Sequence, residues 1–221
     1  MAGRRWRIKT LMEINPETLT HQSVYKILTG AILPRPIGWI STVDVGGRPN
    51  LAPFSFFNVV CSNPPTVLFC PLIRGIDGNK KDTLNNVRAT NEFVVNIVTE
   101  ELLQAMNASS VEALPGFNEF DFAGITQQLS QKVRPPRVAE SPIHFECKVR
   151  EIIDINDAPG GGSIVIGTVL HIHAEDNVLL GEDKINLMAL RPVGRLAGGA
   201  YCRVTDIIEL ERPKHKLGEK S

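Results

Sequence analysis

Apolar and polar positions along the chain change their period several times, and each change marks an element. Residues 15–30, NPETLTHQSVYKILTG, carry Leu19, Val24, Ile27 and Leu28 as a partial apolar helical face. Asn15 suits an N-cap, Pro16 the first helical position and Gly30 a C-terminal stop. From residue 37 the pattern becomes that of strands. IGWISTVDV (37–45), a GGRPN turn and LAPFSFFNVV (51–60) read as one hairpin, with a third strand over 66–73. Asp82 is expected to cap a helix over 82–90, and a strand follows over 92–98. Thr99 is expected to cap a helix over 100–108, whose two leading glutamates suit the positive end of a helix dipole. The second half is more plainly β. Ile143, Phe145, Cys147 and Val149 alternate with His144, Glu146, Lys148 and Arg150, which predicts one buried and one polar face. Two more strands are expected over 163–174 and 201–210, then a solvated polar tail over 211–221.

About seven strands with only short helices between them argue against a doubly wound parallel sheet. They predict a mostly β (α+β) fold, an antiparallel barrel with short peripheral helices. No linker divides the chain, so a single domain over 15–210 is expected, behind a basic N-terminal extension over 1–14. Charge adds little: Lys+Arg and Asp+Glu both number 24, so no global field draws nucleic acid or an anionic membrane. An anion must be held by local groups. Cys61, Cys70, Cys147 and Cys202 lack CxxC spacing and sit in apolar runs, as reduced core thiols do. The basic N-terminus has no apolar run behind it, and no segment reaches transmembrane length, which makes a cytoplasmic location the expectation.

The candidate chemistry starts from an oddity inside residues 51–60. Ser55 and Asn58 sit among Phe54, Phe56, Phe57, Val59 and Val60, where an unpaired polar group would cost several kcal/mol. There is no G-x-G-x-x-G, no phosphate-binding G-x-x-x-x-G-K-[ST] and no G-x-S-x-G. His171 and His173 share a strand face, but no third ligand stands at suitable spacing, so paired strand histidines are expected rather than a metal site. Small polar groups instead gather at strand ends: Ser41 and Thr42 on one hairpin arm, Ser55 and Asn58 on the other. Lys80, Lys81 and Thr83 lie at the start of the 82–90 helix. Hydroxyls, an amide, ammonium groups and helix N-terminal N–H groups are what a phosphate ester binds. Asp82 opposes an anion there unless it caps the helix. Taken singly, each group also fits an ordinary hairpin or helix cap.

Four separated blocks decide between those readings. PRPIGWISTVDVGGRPNLAPFSFFNVVCSNPP, KKDTLNNVRATNEFVVNIVTEELLQAMNASS, VRPPRVAESPIHFECKV and LRPVGRLAGGAYCR follow one another over roughly 15–210. Together they resemble the flavin reductase-like, FMN-binding split-barrel family, in its flavoredoxin-like branch. The resemblance implies an antiparallel split β-barrel that binds FMN in a groove completed by the second subunit of a homodimer. It implies FMN contacts from Ser41, Thr42, Ser55, Phe56, Phe57, Asn58 and Asp82, phosphate contacts from Lys81 and Thr83, and a weaker contribution from Arg35. One departure is Lys80, where the resemblance leads one to expect an arginine with a bidentate fork. The implied activity is NAD(P)H:flavin oxidoreductase, with hydride chemistry on the flavin N5 and no protein acid or base required. The reduced flavin or its electrons would pass to a protein or other acceptor. GRLAGGAY is the candidate rim for the nicotinamide donor, with Arg195 and Tyr201 as substrate contacts and Gly194, Gly198 and Gly199 allowing close approach. An FMN electron carrier without its own NAD(P)H turnover, and a non-catalytic binding module, are the alternatives.

Overall fold

The computed structural model describes residues 11–114 and 116–213; the expected basic extension falls mostly, and the polar tail partly, outside them. Seven strands form one antiparallel sheet in the order β2-β1-β5-β8-β9-β4-β3. They are β1 (Gly38–Val43), β2 (Pro49–Phe54), β3 (Phe57–Ser62), β4 (Pro65–Phe69), β5 (Glu92–Ile97), β8 (Ile143–Asn156) and β9 (Gly162–Ala174). Two short pairs complete the β structure: β6 (Gln127–Gln128) with β7 (Arg137–Val138), and β10 (Val193–Arg195) with β11 (Tyr201–Arg203). The helices are α1 (His21–Ala31), α2 (Asp82–Thr90), α3 (Leu103–Ala108), α4 (Glu119–Ala123) and α5 (Leu187–Leu190). The fold is a split barrel, as expected.

The sheet curls around one core. Ile40, Phe54, Val67, Phe69, Phe93, Val95, Cys147 and Val165 come from six strands, and α2 adds Leu84 and Val87. Gly167 on β9 leaves room for the Phe93 ring, since a Cβ there would stand 2.3 Å from its Cζ. A second cluster covers the other face of β1, with Trp39, Leu51, Met106, Phe120, Val138 and Val193. β1 is therefore buried on both faces, which explains why its residues are apolar or small along its whole length.

The single strand expected over 51–60 is two strands. β2 ends one edge of the sheet and β3 ends the other, and the chain crosses between them at Ser55 and Phe56. Phe57 then lies against Gly38, where a Cβ would meet its ring at 2.7 Å. Val59 and Val60 do not leave water; as edge-strand residues they are 67% and 49% exposed.

Other expectations shift for local reasons. Asn15 caps a 3₁₀ turn over Pro16–Thr18, not α1; extended backbone at Leu19 interrupts, and Thr20 caps the true helix by accepting from Ser23 N–H at 3.2 Å. Asp82 is the first residue of α2 rather than its cap; Lys81 holds the N-cap position and makes no side-chain capping bond. Residues 99–102 form a turn, so α3 starts only at Leu103 and Thr99 does not cap it. The 201–210 strand stops at Arg203 because its partner β10 is three residues long. Of the four free cysteines only Cys147 is a core thiol; Cys70 and Cys202 are half-buried and Cys61 is exposed.

Candidate functional site

The start of α2 opens onto a cleft of about 110 Å³ beside the edge strand β2. Lys81, Asp82 and Thr83 line it together with Arg74, Asn50, Ser110, Glu112 and Glu119. The first N–H groups of α2 carry no side-chain cap, so this helix end keeps its attraction for negative charge. Arg74 comes from the loop between β4 and α2. Its Nη2 donates to the Ala113 carbonyl at 3.1 Å, while its buried Nε–H has no hydrogen-bond partner among the described residues. Asp77 Oδ1 lies 3.3 Å from that same Nε, an ion pair without the alignment of a hydrogen bond. Arg74 brings a guanidinium to the cleft wall beside Lys81, and its charge favours an anion there. Sequence reasoning missed it because the loop brings it in from seven residues upstream of Lys81.

Behind the cleft wall lies a run of buried polar side chains. Asn50 Nδ2 donates to Thr83 Oγ1 at 2.9 Å and to Thr42 Oγ1 at 3.3 Å, and Asn86 Nδ2 donates to Thr42 at 3.0 Å. Thr42 is fully buried; it stands one amide behind Thr83 instead of lining the cleft. Glu119 closes the far side, with Oε2 accepting the Leu51 N–H at 3.0 Å. Burial raises the Glu119 pKa, the charge of Asp82 adds to that, and the Leu51 N–H opposes it.

A second cleft of about 200 Å³ shares Pro53 and Ser110 with the first, so the two run on as one groove along β2. Tyr25, Ile37, Ser55, Met106, Asn107, Arg195 and Tyr201 line this end. The Arg195 guanidinium stacks 4.5 Å from the Tyr201 ring centre, and Tyr201 Oη donates to Asn107 Oδ1 at 3.3 Å. The glycines of this rim differ in kind. A Cβ on Gly194 would crowd Pro34 at 2.9 Å, whereas Gly198 has φ of +59°, a turn conformation that suits glycine.

The remaining sequence candidates lie elsewhere. Arg35 is buried and spends its guanidinium on the Thr29, Ile32 and Leu196 carbonyls at 2.7, 3.2 and 3.0 Å, and on Ser55 Oγ at 3.3 Å. It ties the end of α1 to the segment after β10. Ser41 is buried on the opposite face of β1 from Thr42, and its hydroxyl donates to the Pro136 carbonyl at 2.5 Å. Asn58 is exposed on β3 and accepts the N–H of Val59 at 2.8 Å. Phe56 and Phe57 are half-buried, against Tyr25 and Gly38 respectively. Neither Ser41, Asn58, Phe56 nor Phe57 lines the groove.

The alternation expected over 143–150 is also corrected. His144 and Glu146 are buried, because the 130–138 loop folds over them. Glu146 accepts the Gln131 and Lys132 N–H groups at 2.8 and 2.5 Å, and His173 Nε2 lies 2.6 Å from it. Burial alone would raise the Glu146 pKa, but these hydrogen bonds outweigh it and the net direction is down. His144 Nε2 donates to the Val138 carbonyl at 2.8 Å, leaving Nδ1 buried and unpartnered. Burial depresses the His144 pKa to about 4. His171 and His173 meet edge to face with ring centres 4.5 Å apart, and no group of three metal-binding side chains occurs among the described residues.

The chain belongs to the flavin reductase-like domain family, whose model matches residues 30–188. It is 40% identical over 204 residues to an uncharacterized protein of Halalkalibacterium halodurans, covering 91% of this chain and 97% of that one. Among solved structures it resembles nitrilotriacetate monooxygenase component B from Bacillus cereus, with 32% identity, a TM-score of 0.86 and coverage of 91% and 100% of the two chains. It also resembles the 2-nitrobenzoate 2-nitroreductase NbaA of Pseudomonas fluorescens, at 30% identity and TM-score 0.82, covering 91% and 96%. The flavoredoxin of Desulfovibrio vulgaris (Miyazaki F) shares the fold at 18% identity and TM-score 0.69, covering 81% and 91%. The protein is a flavoprotein of oxidoreductase type.

Proposed function

We propose that this protein is an NAD(P)H-dependent FMN reductase that hands reduced flavin or electrons to an acceptor. The observation that carries the reading is a cleft that brings Arg74, Lys81 and Thr83 to the uncapped end of α2. These donors suit the free oxygens of a terminal phosphate. Thr83 and Lys81 would hold that phosphate, and Pro53 and Ser55 would border the ring at the other end of the groove. Bound flavin supplies hydride acceptance at its N5. The chain's own part is to anchor the phosphate, fix the ring's position and keep one face open for the donor. Arg195, which lines the second cleft and stacks on Tyr201, would meet a dinucleotide phosphate.

We extend the reading to a cytoplasmic homodimer. Tyr25 and Leu28 on α1, with Ile32 at its C-cap, form a stripe that is 48%, 51% and 61% exposed, and Tyr25 also lines the groove. A stripe of this kind beside a ligand site is what a second subunit covers. Four free cysteines agree with a reducing compartment.

Two measurements test the proposal. Fluorescence titration with FMN, FAD and riboflavin should give the tightest binding to FMN, and equal affinity for riboflavin would remove the phosphate site. Anaerobic stopped-flow mixing with NADH and NADPH should then bleach the bound flavin faster than free FMN. If neither nucleotide does so, the reductase reading falls and an electron carrier remains. Where one does, Arg195→Ala should raise the apparent constant for that nucleotide. A stable monomer in sedimentation with FMN saturating would end the dimer reading.

A further inference from the structure

The cleft at α2 is an unusual receptor for an anion. Its charged walls are two cations, Arg74 and Lys81, against three carboxylates, Asp82, Glu112 and Glu119. Arg48 and Asp44 face Asp82 from its other side across an adjoining cleft. A phosphate monoester brings a further charge of about −1.5 to −2 at neutral pH. The three carboxylates do not meet that charge on equal terms. Glu112 is exposed and Asp82 half-exposed, so water screens both. Glu119 is 7% exposed, fixed through Oε2 by the Leu51 N–H, and its charge is screened least.

We propose that Glu119 is a proton-coupled element of the phosphate site: as the phosphate group of FMN enters, the Glu119 carboxylate takes one proton from solvent and becomes a carboxylic acid. The balance is simple, with one carboxylate and one proton giving one acid and nothing oxidised or reduced. The change removes a buried charge facing the phosphate and replaces it with an O–H donor directed from the cleft wall. Burial already holds this carboxyl nearer its protonated form in the free protein, so the added anion completes a shift that folding began. Binding then becomes pH-linked: affinity for FMN weakens as pH rises past the Glu119 titration, by up to about tenfold per pH unit. This inference rests on the flavin reading above and assigns it a specific proton.

The test is calorimetric titration of the dimer-forming full chain with FMN at about pH 8, in two buffers that differ in ionisation heat. At that pH free FMN is already a dianion, and contact with cations keeps it so, which means uptake cannot come from the ligand. Wild type should take up close to one proton per FMN and Glu119→Gln close to none, with the variant binding FMN more tightly at this pH. Equal proton numbers in the two proteins would overturn the proposal. Should Glu119→Gln fail to fold, wild type decides alone: FMN should bind with proton uptake and riboflavin without it, and equal uptake for both overturns the inference. FMN binding without this difference sinks the Glu119 assignment only, whereas no FMN binding at all sinks the flavin reading with it.

Discussion

Ser41 and Thr42 are neighbours on β1, yet they feed two polar networks with opposite fates. Strand geometry turns them to opposite faces. Ser41 joins Asn96, Pro136 and Val138, and near them Glu146, His173 and His144 pin the 130–138 loop onto the sheet. Thr42 joins Asn50, Asn86 and Thr83, and that run of amides and hydroxyls ends at a cleft that Arg74 and Lys81 also line. Both networks are buried, and both contain residues that sequence reasoning would offer as ligands. What separates them is where they end: the first stays inside the fold, where His144 Nδ1 is buried without a partner among the described residues, and the second reaches a cleft wall at Thr83. A polar network enclosed by the fold holds the fold, while one that ends at a cleft can also hold a ligand.

The largest effect should come from breaking the closed network at its centre. Glu146→Ala removes the acceptor of two backbone N–H groups and of His173, leaving buried donors unpaired. A loss of about 3–5 kcal/mol is expected in urea unfolding, with flavin affinity of the folded fraction unchanged. A loss under about 1 kcal/mol would mean that the loop re-pairs elsewhere and the network is not what holds it.

Acid should break the same network in a defined window. The folded-state pKa of His144 is about 4, below the ordinary 6.5, because burial disfavours the imidazolium. The unfolded chain therefore binds a proton at His144 that the folded chain refuses. Stability from this group is full above pH 6.5 and is lost as pH falls toward 4, on the order of 3 kcal/mol in all. Glu146, with its folded pKa lowered, loses stability in the same direction as pH falls. Urea unfolding of wild type and His144→Gln at steps across that window should show a shallower decline in the variant. Parallel curves would remove His144 from the acid response.

At the open network the expected loss is in binding rather than folding. Arg74→Ala should weaken FMN ten- to hundredfold, about 1.5–3 kcal/mol, and leave riboflavin unaffected. Arg74→Lys should recover part of this, since it restores charge but not the fork. Fluorescence titration showing equal losses for both flavins would place Arg74 away from the phosphate.

The sequence was legible where period and local chemistry agree. The strands β1, β4, β5, β8 and β9 and the helix over 82–90 were readable, because each depends on neighbours in sequence. Three things were not. The break at Ser55 is set by barrel closure, which no local pattern encodes. The burial of His144 and Glu146 depends on a loop from residues 130–138, and a period of two cannot report a lid over its polar face. Arg74 lay in a stretch without periodicity, and only the folded loop aligns it with Lys81. Ser41 shows a further limit of local pattern: a hydroxyl on a strand can serve a carbonyl as readily as a ligand, and here it donates to the Pro136 carbonyl.

That last point gives the smallest effect and the sharpest contrast. Ser41→Ala deletes the buried hydrogen bond from Oγ to the Pro136 carbonyl and the longer one Oγ accepts from Asn96 Nδ2 at 3.4 Å, so the fold should lose about 1 kcal/mol. Thr83→Ala deletes an acceptor of Asn50 and should cost a similar amount, because Asn50 keeps Thr42 as a partner. Stability thus barely distinguishes the two hydroxyls. FMN affinity should: Thr83 lines the cleft and its loss should weaken FMN about tenfold or more, whereas Ser41 faces the other network and its loss should leave FMN and riboflavin unchanged. Were Ser41→Ala to weaken FMN as much as Thr83→Ala does, the two faces of β1 would both serve the flavin, and ending at a cleft would no longer tell a binding network from a structural one.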